Sequence, residues 1–132
     1  MRALIVATCA LFGSACAAPP ANEPSFEPLD APRAYLGLGH RSLGSMTYDF
    51  RVPPRTRRLD VEFAQSLRGA RVDADASAWG RTFPILRDRR VGKNLARLDW
   101  DVGDVEQISI TIHHHFRERP VVRRWQFWAP AG

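Results

Sequence analysis

The chain has 132 residues, enough for one domain. Its 19 Lys and Arg outweigh 14 Asp and Glu, a formal net charge of +5, which favours anionic partners over cationic ones. Its two cysteines, Cys9 and Cys16, both lie before residue 17, so no disulfide framework supports the rest of the chain and an apolar core must hold it together.

The first element is a leader. "MRALIVATCALFGSACAAPP" carries Arg2 behind Met1, an apolar run from Ala3 to Phe12 and then small residues, the order of a secretory signal over 1–16. The run is too short for a permanent bilayer span. Two processing outcomes compete. "GSAC" is similar to a bacterial lipobox, with Gly13 in place of the usual aliphatic residue, and lipidation of Cys16 would anchor the mature chain to a membrane. Cleavage after "ACA" at Ala17 would free it. The expectation is an exported protein of the bacterial envelope, lipid-anchored at Cys16 rather than freely periplasmic or secreted. Residues 17–45 then read as a Pro- and Gly-rich tether and lead-in. "AAPPANEPSFEPLDAP" has no periodicity, and "GLGHRSLG" lacks the Lys-Ser/Thr ending of a phosphate loop.

From residue 46 the pattern alternates with the period of two that a half-buried strand requires. "MTYDFRV" puts Met46, Tyr48, Phe50 and Val52 on one face, and "VPPRTRR" breaks it at two prolines. "LDVEF" aligns Leu59, Val61 and Phe63. "FAQSLRGA" approaches a helical stripe but is interrupted by Gly69. "ARVDADA" sets Val72 among small and charged residues, and Pro84 in "RTFPIL" marks an edge strand. "ARLDWDV" turns Ala96, Leu98, Trp100 and Val102 inward. "ISITIHHHF" does the same with Ile108, Ile110, Ile112, His114 and Phe116, and "VVRRWQFW" closes the series. Seven to eight short strands over 46–130 predict an all-β fold, a single antiparallel β-sandwich of jelly-roll type, with Trp100, Phe63, Ile110 and Ile112 in its core.

"YDFRVPPRTRRLDVEF", followed by "ARVDADASAWGRTFPIL", "VEQISITI" and "RRWQFW", resembles the discoidin-like, galactose-binding-like jelly rolls of bacterial exported proteins. The likeness spans about residues 46–128. Ala78-Trp79-Gly80 stands where that family has Asp-Gly in a hairpin, and its ligand loops have no counterpart. The resemblance implies glycan or surface binding without catalysis, and it carries over no binding residue.

Three consecutive histidines, His113 to His115, sit at the end of an apolar strand. Residues i and i+2 of a strand share a face about 7 Å apart, so His113 and His115 pair on one side and His114 turns to the other, between Ile112 and Phe116. A metal site would need three or four ligands. Neither neighbouring run supplies them beside the histidines, and Arg is abundant there, so no metal or other cofactor is expected. The alternative is a basic surface. His113, His115, Arg117, Arg119, Arg123 and Arg124, with Trp128 near them, would form one face around a hairpin between 108–116 and 121–128. Guanidinium groups bind carboxylates and phosphates bidentately, and an indole packs on a sugar ring. The paired carboxylates Asp73/Asp75 and Asp99/Asp101 read as solvated strand faces, and no nucleophile elbow or zinc-protease helix appears. The sequence therefore leads to a non-catalytic module for an anionic glycan or other surface ligand. A structural or assembly lipoprotein that binds another envelope protein is the alternative. Export argues against a nucleic-acid partner.

Overall fold

The computed structural model describes residues 25–131. The leader over 1–16, Cys16 and residues 17–24 of the tether lie outside the described residues. Nine strands form, β1 (Phe26–Leu29), β2 (Tyr35–Ser42), β3 (Ser45–Arg51), β4 (Arg58–Phe63), β5 (Arg71–Ala78), β6 (Arg81–Arg90), β7 (Leu95–Asp99), β8 (Gln107–His113) and β9 (Val122–Pro130). They make two antiparallel sheets, ordered β1-β9-β4-β7 and β2-β3-β8-β5-β6, so the all-β antiparallel sandwich expected from the alternation is the observed architecture. The inner faces are those read from the sequence. Met46, Tyr48, Phe50, Val72, Ile108, Ile110 and Ile112 meet Leu59, Val61, Phe63, Ala96, Leu98 and Phe127 in one core. Tyr48 stands edge-on to Phe63 at 5.5 Å between ring centroids, and Phe50 meets Trp125 at 6.1 Å, so aromatic pairs join the two layers.

Three expectations change. The domain does not begin at 46, because β1 and β2 fall within the segment expected to be tether and lead-in. Side chains of β9 hold this part down. Gln126 Nε2 donates to Leu29 O at 2.9 Å, Trp125 Nε1 donates to Ala31 O at 3.3 Å, and the Tyr35 ring packs on both Phe50 and Trp125. Prolines are tolerated here because β1 is a four-residue edge strand, where half of the N–H groups need no ladder partner. The strand count rises accordingly to nine.

The second change concerns β8. Its neighbours are β3 and β5, not 95–102 or the last strand. β9 pairs with β1 and β4 in the opposite layer. The link 114–121 therefore crosses from one sheet to the other and is no hairpin. Third, Val102 is half-exposed rather than inward, because β7 stops at Asp99 and the chain turns away toward Gly103, whose φ is +100°.

Pro84 does lie in an edge strand, β6. The β5–β6 turn places Trp79 (φ 54°) and Gly80 (φ 72°) both in the left-handed region, the geometry of a tight two-residue hairpin whose twist matches the strands. Trp79 fills that turn although a bulky side chain disfavours it, and the residue is 66 % exposed.

Candidate functional site

The β2–β3 turn is Leu43-Gly44, with Ser42 paired to Ser45. Gly44 has a φ of +82°, as the second residue of such a turn requires. The turn projects beside the end of β8, where His114 N donates to Gly44 O at 2.9 Å. The crossing segment after β8 is tied at its far side. The Tyr48 hydroxyl donates to Pro120 O, and Ala64 N donates to Val121 O at 2.8 Å. Between turn and crossing segment lies an open cleft of about 450 Å³ lined by Arg41–Gly44, Met46, His114, Phe116, Arg117 and Arg119.

Arg41, Arg117 and Arg119 line this cleft from two separate elements, and no carboxylate does. None of the three is in an ion pair with a described residue. Arg119 also lies near enough to Tyr35 and Tyr48 to favour their ionised forms, although burial dominates and raises both phenols, Tyr48 to about 12. The His114 ring stacks on Phe116 at 5.0 Å and 23°. Its Nδ1 accepts the Phe116 N–H at 3.0 Å, which puts the ring proton of the neutral form on Nε2. Burial, and then the charge of His115, push the His114 pKa below its ordinary value. The floor of the cleft thus combines a neutral stacked aromatic pair with three unneutralised cations at its rim, a setting for an anionic group attached to a ring or apolar body.

The basic face expected from the sequence is divided. Arg117 and Arg119 are in the cleft. His113 is on the outer face of the five-stranded sheet, where Nε2 meets Asp73 Oδ2 at 2.9 Å. Protonating it would strengthen that contact rather than add free charge to a shared surface. His115 is exposed and does not line the cleft. Arg123 and Arg124 lie in the other sheet and are both turned onto Glu62, at 3.7 and 2.8 Å. Trp128 is there too, its Nε1 donating to Asp60 Oδ2 at 3.1 Å. The physical reason is the crossing of 114–121 between layers, which separates β8 from β9.

Arg124 and Trp128 line a second, smaller concavity of about 290 Å³ on the outer face of the four-stranded sheet. Asp60 is buried there and accepts from Arg97 Nε (2.8 Å), Arg97 Nη2 (2.9 Å) and Trp128 Nε1. Arg97 is paired with Asp60, and Arg123 and Arg124 share Glu62, so these cations are engaged, unlike those of the cleft. Among the described residues no three His, Cys, Asp or Glu side chains converge as metal ligands would.

Sequence reasoning missed Arg41, His114 and Phe116 as site residues. Arg41 lay in a glycine-containing segment read as lead-in. The usable signal was "RSLGSM", a Leu-Gly turn before an alternating run, which brings Arg41 to the end of a hairpin. Compared with protein-family models, curated proteins and solved structures, the chain matches none of them.

Proposed function

We propose that this protein is a non-catalytic, exported binding module that takes an anionic glycan, or another surface ligand of the same charge, in the cleft between the β2–β3 turn and segment 114–119. The observation that carries this reading is the convergence of Arg41, Arg117 and Arg119 on one cleft without a lining carboxylate. Guanidinium groups kept together at the cost of mutual repulsion are matched by an anion that bridges them. The His114–Phe116 pair supplies a flat apolar surface beside them for the body of a sugar.

The test is a glycan array at low and moderate salt with the full chain and an Arg117→Ser/Arg119→Ser variant. Binding should be confined to carboxylated or phosphorylated glycans, weaken with salt and be lost in the variant. Retention of neutral glycans, or indifference to the double substitution, would reject it.

A second reading, an assembly lipoprotein that binds another envelope protein, draws on Leu36, Leu38 and Leu43, which are exposed along β2 and its turn. An envelope pull-down beside the array separates the two. Export rests on the residue order of 1–16, and anchoring on Cys16 behind Gly13-Ser14-Ala15. Mass spectrometry of the membrane fraction should find an acylated N-terminus at Cys16. An unmodified chain beginning at Ala18 would reject the anchor.

A further inference from the structure

The cleft is not the only place where positive charge is left unpaired. β6 ends in Arg89-Arg90, and the β6–β7 link carries Lys93. All three are exposed, and none is in an ion pair with a described residue. Strand register connects Arg90 to the cleft, while Arg89 lies opposite the buried Val72, on the alternate parity, and Lys93 follows in the link. Ser42 pairs with Ser45, Ser45 with His113, His113 with Arg71 and Arg71 with Arg90, one continuous row across the end of the five-stranded sheet. Four inter-strand steps of ~4.8 Å make the row about 19 Å long.

The chemistry along the row is uneven. At one end stands the cleft with its three arginines. In the middle, His113 is held by Asp73, and Arg71 is held by both oxygens of Asp88 at 2.9 and 2.7 Å. At the far end, Arg90 sits directly opposite Arg71. Like charges facing one another across a ladder are destabilising. Asp88 relieves Arg71, and no described carboxylate relieves Arg90. Hydroxyl groups of Ser42, Ser45, Thr47 and Thr111 flank the middle section, on the same rows or the next.

We infer that the cleft is one end of an extended anion-binding track that crosses the five-stranded sheet to Arg90, with Arg89 and Lys93 beside its far end, and that its ligand is an acidic polysaccharide chain. The inference rests on the cleft reading and deepens it from a single anionic group to a polymer. Anionic groups on the polymer meet the two free cationic ends. The hydroxyl-bearing rings between them cross the middle, where Asp73 and Asp88 accept hydrogen bonds and Ser45 and Thr47 can donate. A nucleic acid fits less well, because its evenly spaced phosphates would lie on those two carboxylates, and only the His114–Phe116 pair offers a ring for stacking. Two anchor points joined by one ligand act with a high effective concentration, so a chain long enough to reach both should bind about 10-fold or more tighter than a short one.

The experiment is calorimetric titration of the full chain with oligogalacturonates of increasing length. For the native chain, affinity should rise with length until the oligomer spans the track, then level off. An Arg89→Ser/Arg90→Ser/Lys93→Ser variant should bind the shortest oligomer as the native chain does and lose the gain with length. Arg90→Gln alone, with folding of both checked by circular dichroism, should reproduce part of that loss. Arg117→Ser/Arg119→Ser should lose binding at every length. An unchanged length dependence in the triple variant would overturn the track and leave the cleft standing. Failure of the native chain to bind any oligomer would overturn both. Tighter binding of a single-stranded oligonucleotide of equal charge, with the same sensitivity to the triple variant, would overturn the polysaccharide assignment.

Discussion

Tyr48 links the core to the cleft through one hydroxyl group. Its ring is buried against Phe63, and its O–H reaches Pro120 O at the far end of the segment that carries Arg117 and Arg119. Removing the hydroxyl in Tyr48→Phe leaves a buried carbonyl without that donor and should cost about 1–3 kcal/mol. Burial raises the phenol to about 12, from an ordinary value of 10.0. A raised folded-state value gives stability that is complete below pH 10 and lost as pH climbs toward 12. Urea midpoints measured from pH 8 to 12 should therefore fall on the alkaline side for the native chain and fall less for Tyr48→Phe; parallel curves would refute the assignment. Asp73 gives the opposite sign. The backbone N–H of Asp88 holds its carboxyl below the ordinary 3.8 against the opposing effect of burial, and the His113 ring and the Arg87 charge add to the lowering. That stability is present above pH 4 and lost as pH falls through the lowered value. Asp73→Asn should flatten the acid limb below pH 4 in the same titration.

At the level of strands, β8 is the best-determined element, since three isoleucines on one face of a central strand leave it a single buried orientation. Ile110 has no exposed surface, and its truncation to Ala should cost about 2–5 kcal/mol, read from the urea midpoint. A loss below about 1 kcal/mol would mean that the two sheets do not close over β8 as described. The same alternation made most inner faces readable in advance, because side-chain direction in a strand depends only on parity. Sheet membership was not readable. Parity says that Ile110 and Phe127 are both inward but is silent on which layer each joins, and that choice decides whether Arg123 and Arg124 stand beside His113 or behind it. β1 and β2 escaped notice for a different reason. Their sequences, "FEPL" and "YLGLGHRS", bury few side chains, so they show little hydrophobic period, and they are held by Gln126 and Trp125 of β9 and by Tyr35 packing on Phe50 and Trp125. The cleft shares that origin. It depends on a turn of β2 meeting a link from β8, a contact between residues about 70 positions apart.

Taken whole, the sandwich carries excess positive charge at one end. Backbone hydrogen bonds tie four links together at one end: His114 N to Gly44 O, Phe63 N to Asn94 O, Ala64 N to Val121 O and Leu67 N to Lys93 O. Those links contain Arg68, Lys93, Arg117 and Arg119 against the single carboxylate of Glu118. At the other end, Val52 N bonds Glu106 O, Glu106 N bonds Ser77 O and Trp100 N bonds Arg57 O, and Asp101, Asp104 and Glu106 gather there beside Arg55 and Arg57, with Arg57 paired to Asp104, so that end is close to neutral. An asymmetry of this kind orients the molecule in the field of an anionic surface before contact is made, which net charge alone does not do. The consequence can be tested by moving equal charge at opposite ends. Arg117→Glu/Arg119→Glu alters the cleft end. Arg51→Glu/Arg81→Glu alters exposed residues that flank the other end and are in no described ion pair. Both pairs change the formal charge by the same amount. If total charge governed adsorption, the two variants would leave a sulfonated cation exchanger at the same lowered salt concentration. A molecule with its excess charge at one end should instead show a large shift for the cleft pair and a small one for the control pair. The difference should shrink as ionic strength rises and the Debye length falls below about 8 Å. Equal shifts at every salt concentration would show that the cationic end has no directing role.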